Sequence, residues 1–113
     1  MEYKRYRDDV TIEGDTAIET LEAREVPEEY VLEVTHMMIA DVTTVGQTLE
    51  VGYISPAGDY KVLGATSEAL GFEYQLIGHA WLMAGEKPYG RVTTSVDGDD
   101  IHFSVHGKLW KIE

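Results

Sequence analysis

Residues 101–106 read Ile-His-Phe-Ser-Val-His, a strict alternation of apolar and polar side chains. Ile101, Phe103 and Val105 fall on one side, and His102, Ser104 and His106 on the other. A period of two belongs to a β-strand with one buried face, because successive side chains of an extended chain point in opposite directions. Similar runs recur along the chain, separated by glycine-containing turns. Nothing between them has the length and period of an ordinary helix, which excludes a doubly wound parallel sheet.

Read in order, Val10-Thr11-Ile12 is a short strand that ends at Gly14-Asp15. Residues 17–24 admit two readings. Ala17, Leu21 and Arg24 suit a helical turn capped by Asp15-Thr16, whereas Ile18, Thr20 and Glu22 suit one face of a strand. The surrounding β context favours the strand. Pro27 makes a turn of Val26–Glu29 and biases Val26 to extended geometry. Tyr30 to Val42 is a long strand, and its apolar Met37-Met38-Ile39-Ala40 suggests cover on both faces.

Gln47 to Ile54 follows, with Leu49, Val51 and Tyr53 on one side. Ser55-Pro56-Ala57-Gly58-Asp59 is a tight turn that returns Tyr60–Leu63 antiparallel. Residues 64–71 read as a loop with one helical turn. Phe72 to Met83 resumes β-structure, with a bulge or bend at Gly78. Asp97-Gly98, the strongest short hairpin signal, is expected to pair Tyr89–Val96 with Asp99–His106. Lys108 to Ile112 extends the last strand or adds a short one.

The expected fold is therefore all-β: an antiparallel, jelly-roll-like β-sandwich of about eight strands. A length of 113 residues fits one domain. We divide it into an arm over residues 1–9 and a single sandwich over 10–113.

Charge and composition restrict the function. Twenty-one acidic against nine basic side chains give a formal net charge of −12. Nucleic acid and anionic membranes are disfavoured partners, because both would be repelled by the average surface. No apolar run reaches the roughly 18 residues that span a bilayer. The opening Met1-Glu2-Tyr3-Lys4-Arg5 lacks the apolar centre of a cleaved leader. With no cysteine, disulfides and thiolate chemistry are excluded.

The four histidines, His36, His79, His102 and His106, prompt a metal hypothesis. His102 and His106 lie about 13 Å apart on one strand, whereas zinc ligands converge about 2 Å from the ion. No cupin-like histidine cluster occurs, and an atypical cupin site around His36, His79 and His102 ranks last among the functional readings. Among the serines Ser55, Ser67, Ser95 and Ser104, none sits in a nucleophile elbow. Ser104 lies about 7 Å from each neighbouring histidine, beyond Ser–His hydrogen-bond reach. Asp97, Asp99 and Asp100 flank a turn, and backbone geometry accounts for them. Trp81, beside Leu82, reads as core. No catalytic, cofactor or metal residue is assigned, and the chain is expected not to be an enzyme.

From Val26-Pro27-Glu28-Glu29-Tyr30-Val31-Leu32-Glu33-Val34, through the acidic end at Asp41 and the following hairpin, to Leu82-Met83-Ala84-Gly85-Glu86 and Asp97-Gly98-Asp99, the layout resembles small jelly-roll or β-sandwich accessory proteins of tailed viruses. The resemblance covers residues 26–107. It implies a virion protein that decorates a capsid, or joins head parts, by binding the major capsid protein or other head proteins. It also implies a homo-oligomer, a trimer among the possible forms, and no catalytic residues. The acidity has two readings, solubility through like-charge repulsion, which is favoured, and life in high salt, which would suit a virus of a halophilic host. A terminal arm gripping a neighbouring protein fits Tyr3, Lys4, Arg5, Tyr6 and Arg7, with Trp110 as a second contact. The alternative is a glycan- or small-ligand-binding module that stacks on Tyr53, Tyr60, Tyr74 or Tyr89.

Overall fold

The computed structural model describes residues 2–15, 18–66 and 71–112. Its eight strands are β1 (Tyr3–Glu13), β2 (Glu19–Glu22), β3 (Tyr30–Asp41), β4 (Leu49–Ile54), β5 (Tyr60–Thr66), β6 (Glu73–Leu82), β7 (Lys87–Val92) and β8 (Asp100–Lys111). They form two antiparallel four-stranded sheets, in the orders β1-β8-β3-β6 and β2-β7-β4-β5. This is the jelly-roll arrangement, in which successive strands cross between sheets and only β4 and β5 are both consecutive and paired. No helix among the described residues is long and apolar enough to cross a membrane.

Alternation along each strand fills the space between the sheets. β8 sends Ile101, Phe103, Val105 and Leu109 inward, where they meet Leu32, Val34, Met37 and Ile39 of β3. The opposite sheet contributes Leu21, Leu49, Val51 and Val92. Burying an aliphatic or aromatic side chain stabilises by about 1.5–3 kcal/mol, so this cluster drives the two layers together. Gly90 allows a close approach: a Cβ there would lie 2.5 Å from Phe103 Cδ1 and 2.9 Å from Ile39 Cδ1.

Several expectations are corrected. The boundary placed after residue 9 falls inside β1, which pairs with β8 continuously from Tyr3–Trp110 to Glu13–Asp100. The basic segment is thus a sheet edge and not a detached arm. Asp8 hid its alternation, because it occupies an inward-parity position between Tyr6 and Val10. It is satisfied there by the Arg24 backbone N–H at 2.8 Å and the Arg24 guanidinium at 3.6 Å.

Asp97-Gly98 is a tight turn, with Gly98 at φ 88° and the Asp99 N–H donating to Val96 O at 3.0 Å. The strands on either side of it enter different sheets, so it closes no hairpin. The Ser55–Asp59 turn does join the paired strands β4 and β5, as expected. Residues 19–22 are a strand, as the β context favoured. Thr16 and Ala17 of the helical reading, and Ser67, lie outside the described residues. Gly78, at φ 143°, marks a bulge within β6: between Ile77 and Ala80 two residues oppose the single Thr35 of β3. β3 is buried chiefly on its inner face: on the outer one Ala40 is buried but Met38 remains half-buried.

Candidate functional site

The outer face of the β1-β8-β3-β6 sheet collects the four histidines and four of the six residues assigned to a partner, Tyr3, Arg5, Arg7 and Trp110. Alternation along β1 turns Tyr3, Arg5, Arg7, Asp9, Thr11 and Glu13 outward. Their register partners on β8 are Trp110, Lys108, His106, Ser104, His102 and Asp100. Each pair is a rung, and the rungs run from aromatic, through basic, to neutral and acidic.

At the aromatic end the Tyr3 and Trp110 rings lie 5.0 Å apart, and the Lys108 ammonium stands 4.8 Å from the Tyr3 ring centre. Trp110 Nε1 donates to Glu33 Oε1 at 3.0 Å, while Glu33 Oε2 lies 2.7 Å from His79 Nδ1. Glu33 therefore ties β8 to β6 across β3. The Trp110 hydrogen bond, opposed by desolvation and reinforced by His79, holds its pKa below the ordinary glutamate value.

Beside these residues, Tyr3, Arg5, Arg7, Thr35, His106 and Lys108 line a groove of about 410 Å³. Arg7 pairs with Asp9 at 3.3 Å. Among the described residues neither Arg5 nor Lys108 makes an ion pair, although they are direct cross-strand partners of like charge, an arrangement that costs stability.

Tyr6, assigned to a partner on sequence grounds, points inward and is 1% exposed. Its hydroxyl donates to Arg24 O at 2.6 Å, and burial, with Asp8 nearby, raises its pKa. It anchors the core and offers no ring to a partner. Lys4 lies over the Tyr30 ring at 5.3 Å. Tyr3, Arg5, Arg7 and Trp110 are brought together on one face.

The histidines do not converge on a centre. His36 Nε2 bonds Gln75 Oε1 at 3.1 Å, His79 meets Glu33, and His102 Nδ1 bonds Thr11 Oγ1 at 3.2 Å. His36 and His106 are cross-strand neighbours with edge-to-face rings 5.8 Å apart. Among the described residues, no three His, Asp or Glu side chains are grouped so as to hold a metal ion.

The tyrosines named for ligand stacking do not form a platform. Tyr53 and Tyr74 pack against the core. Tyr89 is fully buried on the outer side of β7, under Tyr60 and beside Gly52, with its hydroxyl donating to Glu50 Oε2 at 2.6 Å. Only Tyr60 presents an open ring, and the Arg91 guanidinium lies 4.1 Å from its centre.

A second surface was not foreseen. Strand β6 edges its sheet and exposes Ile77 at 76% and Trp81 at 57%, continued by Phe72 and Met83. Val62 and Leu63 are exposed on β5, the edge of the other sheet on the same flank. Trp81 was expected in the core because Leu82 is its neighbour. Strand parity is the signal that separates them: with Leu82 inward, Trp81 must face out.

No family model and no curated protein matches this sequence. Solved structures of similar fold include the Drosophila NLP-core, at 8% identity and a TM-score of 0.49, covering 94% of this chain and 99% of that one. That structure is described in connection with pentamer formation and histone binding. Another comes from the disulfide-linked pili of Bacillus endospore appendages, at 10% identity and a TM-score of 0.49, covering 100% and 93%. A third belongs to infectious bursal disease virus Gt strain, at 11% identity and a TM-score of 0.37, covering 96% of this chain but 30% of that one. These likenesses concern the all-β fold and assign no role to this chain.

Proposed function

We propose that this chain is a non-enzymatic structural subunit of a virus particle, a capsid decoration or accessory protein that adheres to the major capsid protein or another head protein. The observation that carries the reading is the flank formed by β5 and β6. Two sheet edges there retain unpaired backbone groups; β6 exposes Ile77 and Trp81 on the outer face of its sheet, and β5 exposes Val62 and Leu63 on its own strand. Large exposed apolar residues on an open sheet edge invite association, and an isolated soluble domain normally blunts such an edge with charge. The virion setting rests on the layout resemblance over residues 26–107.

The mechanism is adhesion: apolar side chains are covered by a neighbour while the edge strand gains backbone partners. Cosedimentation with purified heads tests it. Wild-type protein is expected to travel with the particles, and an Ile77→Ser/Trp81→Ser variant to remain in the supernatant. Wild-type protein that never travels with heads overturns the reading.

A further inference from the structure

We infer that the outer face of β1 and β8 is a self-complementary interface, on which a second copy of this chain docks about a two-fold axis. The argument starts from register. Arg5 pairs with Lys108, Asp9 with Ser104, and Glu13 with Asp100. The basic rung and the acidic rung therefore stand equally far, four residues each, from the Asp9–Ser104 rung. At roughly 3.3 Å per residue that distance is about 13 Å on either side.

Each outer rung sets like charges directly opposite one another, which disfavours the pairing of the strands that carry them. Among the described residues none of the four side chains makes an ion pair. Two rungs of opposite sign, neither of them ion-paired and symmetric about a centre, suit an isologous contact. A two-fold axis lying in the interface, across the strands above Asp9–Ser104, brings the Arg5–Lys108 rung of each copy onto the Glu13–Asp100 rung of the other.

The groove of about 410 Å³ beside Arg5, Arg7 and Lys108 gives the incoming carboxylates room. Asp9, which meets its own symmetry mate at the axis, is already neutralised by Arg7 at 3.3 Å. Glu33, the other anion near the basic rung, has its oxygens engaged by Trp110 and His79. Eleven residues of β1 and two strands make a face of about 36 by 10 Å, or roughly 350 Å². A typical stable interface takes about 800 Å² from each partner, so this one makes a weak, salt-sensitive pair.

The pairing deepens the structural-subunit reading by naming one homotypic contact, and it is tested on the isolated chain without particles. Analytical ultracentrifugation at low salt is expected to show a concentration-dependent dimer that dissociates at high salt. Arg5→Glu/Lys108→Glu makes both rungs acidic, and Glu13→Lys/Asp100→Lys makes both basic. Each double variant alone is expected to weaken dimerisation by about a hundredfold or more. An equimolar mixture of the two restores a heterodimer, because each rung then faces its opposite.

A wild-type monomer at low salt overturns the inference, as does a mixture that stays monomeric. Association unchanged by both double variants but abolished by Ile77→Ser/Trp81→Ser also overturns it, while leaving the adhesive β5–β6 flank standing.

Discussion

Asp41 and Asp99 meet in the interior with side chains almost wholly inaccessible to solvent, 0% and 2% exposed. Asp41 Oδ1 accepts the Thr43 and Thr44 backbone N–H groups at 3.1 and 3.0 Å. Asp99 accepts the Thr44 hydroxyl at 3.0 Å and the Val96 N–H at 3.1 Å. Asp41 Oδ2 has no other protein donor, and one proton on it turns it into a donor to Asp99. Desolvation and that hydrogen bond raise the pKa of Asp41, while the same hydrogen bond lowers that of Asp99.

Stability is therefore expected to peak where the pair holds a single proton. Asp41, whose pKa is raised on folding, contributes stability that is lost as pH rises through its folded value. Asp99, whose pKa is lowered, contributes stability that is lost as pH falls through its folded value. Asp41→Asn supplies an amide donor that does not titrate. Thermal melts against pH are expected to show the variant losing less stability than wild type towards neutral and alkaline pH; parallel curves refute the shared proton. Asp99→Ala strands the Thr44 and Val96 donors and is expected to cost about 2–4 kcal/mol.

Gly90 is a point of close contact between the layers. Gly90→Ala drives a methyl into Phe103 and Ile39, and overpacking of this kind costs about 1–3 kcal/mol. Denaturant titration is the measurement, and a change below about 0.5 kcal/mol shows that the layers separate more easily than the geometry implies.

Glu33 holds Trp110 in place. Glu33→Ala in a Trp81→Phe background, where Trp110 is the only indole, is expected to shift Trp110 emission to longer wavelength as the ring loses its acceptor. In the Trp81→Phe protein itself, the Glu33–Trp110 contact present at neutral pH is expected to be lost as pH falls through the lowered pKa of Glu33. An emission spectrum that the substitution leaves unchanged means the indole is held by Tyr3 alone.

Ile77 and Trp81 are dispensable for folding because both lie mostly in solvent. Ile77→Ser/Trp81→Ser is expected to change unfolding free energy by less than about 1 kcal/mol while abolishing adhesion to heads. A large loss of stability instead assigns the two side chains to the fold.

Strand placement was legible because alternation is a local property: β4 and the inner set Ile101, Phe103 and Val105 can be read from parity alone, whereas the inward set of β3 shifts from even to odd positions at Thr35. The partition into sheets was not. A turn such as Asp97-Gly98 reverses the chain with the same chemistry whether the next strand lies alongside or across the sandwich. The outer face was half legible. Tyr3, Arg5, Arg7 and Trp110 were singled out for charge and aromaticity, but Glu13, Asp100 and Lys108 gain meaning only from register between segments about ninety residues apart. Trp81 was misplaced because apolar neighbours were weighed above parity.

β8 sits between β1 and β3, yet it is the last of the eight strands to leave the ribosome. Until it arrives, its two flanking strands bound an empty slot, and the inward residues of both lack their chief partner. Closing that slot joins segments far apart along the chain, a slow class of event during which half-made sheets are prone to stick to one another. A chain lacking β8 is therefore expected to leave the facing edges of β1 and β3 open and to associate through them.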